Sequence, residues 1–93
     1  MREEDLKQLC RKMGVKSLAV FGSVTMGQFH AGQSDIDFLV EFESLSVDQF
    51  FDFLEGLKRI FHYDNIDLVT AGSLKNKIIR EEILSSKEDL YAA

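Results

Sequence analysis

The sequence predicts a small α/β fold of the α+β kind, in which helices pack against a mixed β-sheet. Three observations point to it: apolar runs short enough to be buried strands, longer segments with apolar residues at helical spacing, and turn residues between them. The predicted order along the chain is helix, strand, strand, helix, strand, helix. Because 93 residues suffice for one modest hydrophobic core, we expect a single domain over residues 1–93.

Composition narrows the class of protein. An apolar fraction of 45% is typical of a globular chain and not of a disordered one. Acidic residues outnumber basic ones by 16 to 11, which argues against general nucleic-acid binding, because that needs a basic face. The N-terminus lacks the apolar core of a signal peptide, no run is long enough to span a membrane, and Cys10 has no partner for an internal disulfide. We therefore expect a cytoplasmic protein, with Cys10 as a buried thiol on a helix face.

The first part of the chain is predicted to form a helix and two strands. Apolar residues recur there at i, i+3, i+4 and i+7: Leu6, Leu9, Cys10 and Met13. Gly14 is placed to end this helix, and a strand over residues 15–21 follows. A second strand is expected over residues 35–42. Strand side chains alternate between faces, so its core-facing positions are Ile36, Phe38 and Val40.

The second part begins with a long helix. Ser46 and Gln49 have the spacing of a capping box, which predicts a helix from Val47 to Phe61. Its apolar stripe is interpreted as core and not as a ligand pocket: residues 47, 50, 51, 54, 57 and 61, widened by Phe53 and Ile60. Gly56 costs this helix about 1 kcal/mol relative to alanine, and nothing in the sequence explains it.

A third strand and a last helix complete the predicted order. Residues 66–70 form the strand, and Ser73 is interpreted as the N-cap of a helix that runs to about Ser86. The residues of this helix that we expect to face inward are Ile78, Ile79, Ile83 and Leu84.

The residues between the first two strands suggest a metal–nucleotide site. Asp35 and Asp37 point to the same side of the second strand, and they repel each other unless a cation lies between them. Gly22-Ser23 follows the first strand directly, where backbone N–H groups can hold phosphate if a helix begins there. A Gly-Ser pair alone is usually a turn, and a D-x-D motif alone is usually a solvated strand end. The evidence for a site is therefore the occurrence of both motifs in this order along the chain.

This ordered set resembles the signature of the DNA polymerase β-like nucleotidyltransferase superfamily: Gly22-Ser23, eleven residues, then Asp35-Ile36-Asp37. In particular it is similar to the minimal nucleotidyltransferase (MNT) domains, small antitoxin-type proteins often paired with HEPN-domain toxins. Residues 65–69 resemble the later strand that bears the third carboxylate, here Asp67, and residues 74–84 its closing helix. The resemblance implies a polymerase β palm-like fold over nearly the whole chain.

The resemblance also implies the roles of individual residues. Asp35, Asp37 and Asp67 would be catalytic and hold two Mg²⁺ ions, with Asp67 beside the attacking oxygen, where it helps to remove the proton. Gly22 and Ser23 would bind the triphosphate of ATP. Ile66 and Leu68 take core-facing positions, which leaves Asp67 on the opposite face beside the Asp35–Asp37 pair.

The implied function is transfer of AMP from ATP to a hydroxyl of a HEPN-type toxin, which silences the toxin. Since only one helix is predicted after Asp67, the acceptor platform is expected from a partner protein or a second subunit, and a homo-oligomer stays open. Family members commonly carry an arginine after Gly-Ser, where this chain has Thr25-Met26-Gly27, and Met26 cannot replace its charge. The alternatives are a binding antitoxin with a weakened nucleotide site that acts by contact, and, less favoured, transfer to a small molecule.

Overall fold

A four-stranded mixed sheet with three helices makes up the described part of the chain, residues 2–22, 35–44, 46–70, 72 and 76–92 of a computed structural model. The elements in order are α1 (Arg2–Lys12), β1 (Val15–Phe21), β2 (Ile36–Phe42), α2 (Val47–Phe61), β3 (Ile66–Thr70), α3 (Lys77–Ser86) and β4 (Glu88–Ala92). The strand order is β3-β2-β1-β4. Strand β1 pairs antiparallel with β2 and β4, whereas β2 and β3 are parallel. This architecture confirms the predicted fold class.

Local sequence signals set the ends of the first two helices. Gly14 adopts a φ of +68° just after α1, which is the left-handed conformation that glycine adopts without strain. Ser46 Oγ accepts the Gln49 N–H at 3.2 Å, so the predicted N-cap of α2 is confirmed. Helix α2 has 15 residues. No helix within the described ranges is both long and apolar enough to cross a membrane.

The hydrophobic core lies between one face of the sheet and helices α1 and α2. Its fully buried large side chains come from all of these elements: Cys10, Leu18, Phe38, Val40, Phe53 and Leu57. The alternation in β2 is as predicted, since Phe38 and Val40 are buried and Ile36 packs against the same cluster. Burial raises the pKa of the Cys10 thiol to about 12, so this residue is a core side chain and not a nucleophile.

Gly56 lets helices α1 and α2 approach closely. A Cβ atom built on Gly56 would lie 2.7 and 2.8 Å from the two terminal methyl carbons of Leu9. Gly56 is buried, and its place in the helix is therefore explained by packing: the helix loses intrinsic stability and gains contact with the Leu9 side chain.

Strand β4 was not predicted. It pairs with β1 from Ser17 to Val20 and closes the sheet on the side away from β3. Its sequence, EDLYA, begins with two acidic residues and has no full period of alternation, and a register shift interrupts its pairing. This strand therefore forms through its tertiary contact with β1, which the local sequence pattern does not predict.

Helix α3 differs from the prediction at its start. Asn76 is its N-cap, and the Asn76 Oδ1 accepts the N–H groups of Ile78 at 3.0 Å and Ile79 at 3.3 Å. The helix therefore begins later than an N-cap at Ser73 would place it. Ser73 itself lies outside the described residues.

The predicted inward face of α3 was wrong for three of its four residues. Ile78, Ile79 and Leu84 are 77%, 51% and 48% exposed, whereas Ile83 is half-buried, and no residue of the helix is fully buried. Part of the α2 stripe is also on the surface, since Val47 and Phe51 are 71% and 56% exposed. The periodicity showed which residues share a helix face, but not how far the neighbouring elements extend over it.

We predict that Gly56→Ala lowers the free energy of unfolding by about 1–3 kcal/mol, because the added methyl group overlaps Leu9 in a packed interface. In a Leu9→Ala background the same substitution should be neutral or stabilising by up to about 1 kcal/mol, since only the gain in helix propensity remains. Chemical denaturation of the four proteins measures both effects. Equal effects of Gly56→Ala in the two backgrounds would contradict the packing explanation.

Candidate active site

Two aspartates face each other across the parallel strands β2 and β3. Asp37 is the register partner of Asp67, between the pairs Ile36–Ile66 and Phe38–Leu68. Phe38 and Leu68 are buried in the core, so Asp37 and Asp67 project from the opposite face of the sheet. Neighbouring strands lie about 4.8 Å apart, which makes these two carboxylates close neighbours. Asp35 directly precedes β2 and is exposed.

The turn between α2 and β3 positions the first residues of β2 and β3. His62 ends α2 in the left-handed conformation, with φ 52° and ψ 44°, and its N–H bonds to the Lys58 carbonyl. After this turn the Asn65 carbonyl accepts the Ile36 N–H at 2.8 Å, between Asp35 and Asp37 in sequence. This positioning bond was not predicted from the sequence. No side-chain pattern signals a bond made by a backbone carbonyl.

Gly22 lies against Asp37 at the end of β1. Phe21 is the register partner of Asp37, and Gly22 follows it with a φ of +77°. A Cβ atom at Gly22 would overlap Asp37 Oδ2 and lie 3.3 Å from Asp37 Cγ. Glycine therefore serves two purposes here: it adopts the backbone conformation, and it leaves the carboxylate room. Ser23 and Met26 lie outside the described residues, as does the whole stretch 23–34.

The electrostatics of this cluster penalise negative charge at Asp37. The pKa of Asp37 is raised first by partial burial and then by the neighbouring charges of Asp67 and Asp35. Each of these causes disfavours the ionised carboxylate. A bound cation would reverse the penalty, because it would offset the negative charge at Asp37.

The donor chemistry fits a divalent metal ion. Carboxylate oxygens are the hard ligands that Mg²⁺ prefers, usually one or two per ion together with phosphate oxygens and water. As their side chains are placed, no three His, Cys, Asp or Glu residues of the described ranges converge closely enough to hold an ion. The structure thus brings Asp37 and Asp67 together, with Asp35 near enough to raise the Asp37 pKa, but it does not form a closed three-carboxylate set.

Gly22 and the Asp37–Asp67 pair thus meet at adjacent strand ends, on the face of the sheet opposite helices α1 and α2. Comparison with known proteins identifies the family. The chain belongs to the family described as Polymerase beta, Nucleotidyltransferase, whose model matches residues 4–93. The prediction of this family from the sequence is confirmed.

Relatives extend the comparison. The chain is 37% identical over 87 residues to a Methanocaldococcus jannaschii protein with the provisional name protein adenylyltransferase, covering 90% of this chain and 82% of that protein. It is 36% identical over 75 residues to the protein adenylyltransferase MntA of Thermococcus cleftensis, covering 80% and 74% of the two chains. Its fold matches a chain in the complex of tri-AMPylated Shewanella oneidensis HEPN toxin with MNT antitoxin. The TM-score is 0.67 at 18% sequence identity, and the match covers 99% of this chain and 71% of that chain.

We predict that Gly22→Ala destabilises the protein more than Gly14→Ala does. Both glycines have a positive φ, but a Cβ at Gly14 meets nothing within 4 Å, whereas one at Gly22 meets Asp37. Gly14→Ala should cost about 1–2 kcal/mol of unfolding free energy for the backbone alone, and Gly22→Ala about 1 kcal/mol or more beyond that. Denaturant titration of both variants gives the difference. Equal costs would show that the side chain of Asp37 moves away freely.

We predict that Asp37→Asn changes how stability depends on pH. The folded-state pKa of Asp37 lies above its ordinary value. At pH values between the two pKa values, the folded protein therefore binds more protons than the unfolded chain. Wild-type stability should therefore fall between the ordinary aspartate pKa and the raised one, whereas the variant should lose less. Unfolding curves at a series of pH values without divalent cations test this. Asp52→Asn, on α2, is the control, and an Asp37→Asn curve parallel to wild type would contradict the prediction.

Proposed function

We propose that this chain is a metal-dependent nucleotidyltransferase that transfers AMP from ATP to a hydroxyl group of a HEPN-type partner protein, and that it acts in this way as an antitoxin. The observation that carries the proposal is the pairing of Asp37 with Asp67 beside Gly22, on the face of the sheet opposite helices α1 and α2. A structural role alone accounts poorly for this arrangement, because partial burial and then the neighbouring charges of Asp67 and Asp35 raise the pKa of Asp37 and so disfavour its ionised form.

Each site residue has a task in this proposal. Asp35 and Asp37 would hold two Mg²⁺ ions, and Asp67 would share in holding one of them. When bound, these ions would stabilise charge on the attacking hydroxyl oxygen and on the oxygen of the leaving pyrophosphate. Asp67 also orients the acceptor hydroxyl and helps to take up its proton. Gly22 and Ser23 bind the triphosphate through backbone N–H groups, and the missing side chain of Gly22 lets the backbone come close.

The choice of a protein acceptor is supported by the relatives. Two of them carry names as protein adenylyltransferases, at 36–37% identity over most of this chain. The HEPN partner is supported by the matching fold in a complex of an MNT antitoxin with an AMPylated HEPN toxin. The family match over residues 4–93 supports a single nucleotidyltransferase domain. Since its nucleotide and partner would both be found in the cytoplasm, we place the reaction there.

We predict that wild-type protein with Mg-ATP increases the intact mass of a HEPN-domain protein from the same genome by one or more adenylyl groups. Asp37→Asn and Asp67→Asn should each slow this transfer by at least about 100-fold, because each removes a charge that holds the metal. Asp52→Asn is the matched control, since it removes a carboxylate from helix α2 and should leave the rate within about twofold of wild type.

Three outcomes would contradict the proposal. An unchanged partner mass after incubation with wild-type protein and Mg-ATP would overturn AMP transfer. Protection of cells by a triple Asp35→Asn, Asp37→Asn, Asp67→Asn variant, as good as that by wild type, would favour neutralisation by contact alone. Incorporation of AMP into small hydroxyl compounds but not into the HEPN protein would instead favour a small-molecule acceptor.

A further inference from the structure

A lysine lies at the start of β4, in line with the carboxylates of the candidate active site. Glu88 is the register partner of Val20, so Lys87, the residue before it, lies beside Phe21. The backbone of Lys87 is extended, with φ −67° and ψ 153°, and it therefore continues the direction of β4 back to the end of α3. Phe21 is in turn the register partner of Asp37. One row across the sheet thus contains Lys87, Phe21, Asp37 and Asp67.

The side chain of Lys87 projects from the face of the sheet that carries these carboxylates. Asp89 is the register partner of Ala19, and Ala19 is that of Leu39, so these three side chains share one face. Leu39 comes two residues after Asp37, which makes this the carboxylate face. Lys87 comes two residues before Asp89, and the bond from Lys87 Nζ to Asp89 Oδ1 shows that both side chains lie on the same side. Both also line a cleft above Ala19 and Leu39.

The ion pair between Lys87 and Asp89 is one that a ligand can exchange. The Lys87 side chain is only 23% exposed, whereas the Asp89 side chain is 70% exposed. The ammonium group is thus held close to the sheet, and its partner is mostly in water. An ion pair with a solvated member contributes little to stability. A phosphate oxygen makes a strong charge-assisted bond to an ammonium group, so it can take the place of the Asp89 carboxylate.

The position of Lys87 suits a phosphate bound at Gly22. Phe21 and Lys87 are separated by one strand spacing of about 5 Å, and Gly22 directly follows Phe21. Because lysine carries its charge on a long, flexible stem, the ammonium group can reach the space in front of Gly22. Asp37 and Asp67 contribute only negative charge to the row. Within the described part of this row, Lys87 is the one residue that offers a polyphosphate a positive charge.

We propose that Lys87 binds the triphosphate of ATP at Gly22, and that Asp89 holds the ammonium group in position while the nucleotide is absent. This inference rests on the proposed nucleotidyltransferase function and deepens it by assigning a further substrate-binding residue. When ATP binds, Lys87 Nζ exchanges Asp89 Oδ1 for a phosphate oxygen, and the Asp89 carboxylate becomes fully hydrated. The contact recognises the polyphosphate and not the base.

The test compares Lys87→Ala with Asp89→Asn by calorimetric titration of the chain with Mg-ATP. Lys87→Ala should weaken binding about tenfold or more, because a charge-assisted bond to phosphate is lost. Asp89→Asn should leave the affinity unchanged or tighten it by up to about threefold, since it removes the competing partner of the ammonium group. A purely structural ion pair would instead make the two substitutions equally harmful.

Two further variants serve as controls. Lys77→Ala removes an exposed lysine at the start of α3, and the 10 residues of this helix place it about 15 Å from Lys87. It should bind Mg-ATP within about twofold of wild type. Lys87→Arg keeps the positive charge and should retain most of the affinity that Lys87→Ala loses. Thermal unfolding without nucleotide shows that each variant is folded, and loss of the ion pair should change the unfolding temperature little.

A transfer assay separates this inference from the proposed function. With the HEPN-domain protein as acceptor, Lys87→Ala should raise the KM for ATP about tenfold or more and leave the KM for the acceptor unchanged. If wild type binds Mg-ATP through Lys87 but transfers no AMP, the binding role stands and the proposed function fails. If AMP is transferred but Lys87→Ala binds Mg-ATP as wild type does, the inference alone is overturned. Equal losses for Lys87→Ala and Asp89→Asn, or a wild type that binds no Mg-ATP, would also overturn it.

Discussion

The parallel pairing of β2 with β3 is the constraint on which the rest of the structure depends. It sets Asp37 directly against Asp67, and it buries Phe38 and Leu68 on the other side of the same residue pairs. One register therefore serves both the hydrophobic core and the polar face. A shift by one residue would exchange the two faces and place aspartates in the core, so the packing of the core also enforces the position of the carboxylates. In this small fold the same strands form the hydrophobic core and position the candidate site.

The cost of this arrangement is concentrated at Asp37. Its carboxylate is partly buried, two like charges lie near it, and the adjacent backbone at Gly22 has a positive φ. Core packing elsewhere has to offset the loss of folding free energy at Asp37. The close contact between Leu9 and Gly56 is one place where the chain gains such packing. Regions with this combination of like charge and constrained backbone are typical of functional sites.

Much of this fold was predictable because its signals are local. The Ser46 cap, the limits of α2, the third strand and the alternation of Phe38 with Asp37 all depend on spacing within a few residues. The close pairing of Asp37 and Asp67 follows from two such alternations on adjacent strands. The family resemblance indicates the same two aspartates from their residue types and their order along the chain.

What the sequence did not reveal depends on distant contacts. Strand β4 exists because it pairs with β1, and the outward face of α3 depends on which surfaces remain uncovered after the sheet has formed. The positioning bond from Ile36 to the Asn65 carbonyl is made by backbone atoms, to which side-chain patterns give no clue. From the sequence alone, Gly56 only lowers the stability of its helix. Its contact with Leu9 on another helix, which explains the glycine, is visible only in the structure.

Strand β4 also protects its neighbour from self-association. It covers the outer edge of β1, whose sequence VKSLAVF is mostly apolar and rich in residues that favour strands. With β4 detached, for example by proteolytic trimming, β1 would present a row of unpaired backbone groups to other chains, which is the usual starting point of edge-to-edge aggregation. Residues Glu88–Ala92 thus keep the edge of β1 from pairing with other chains.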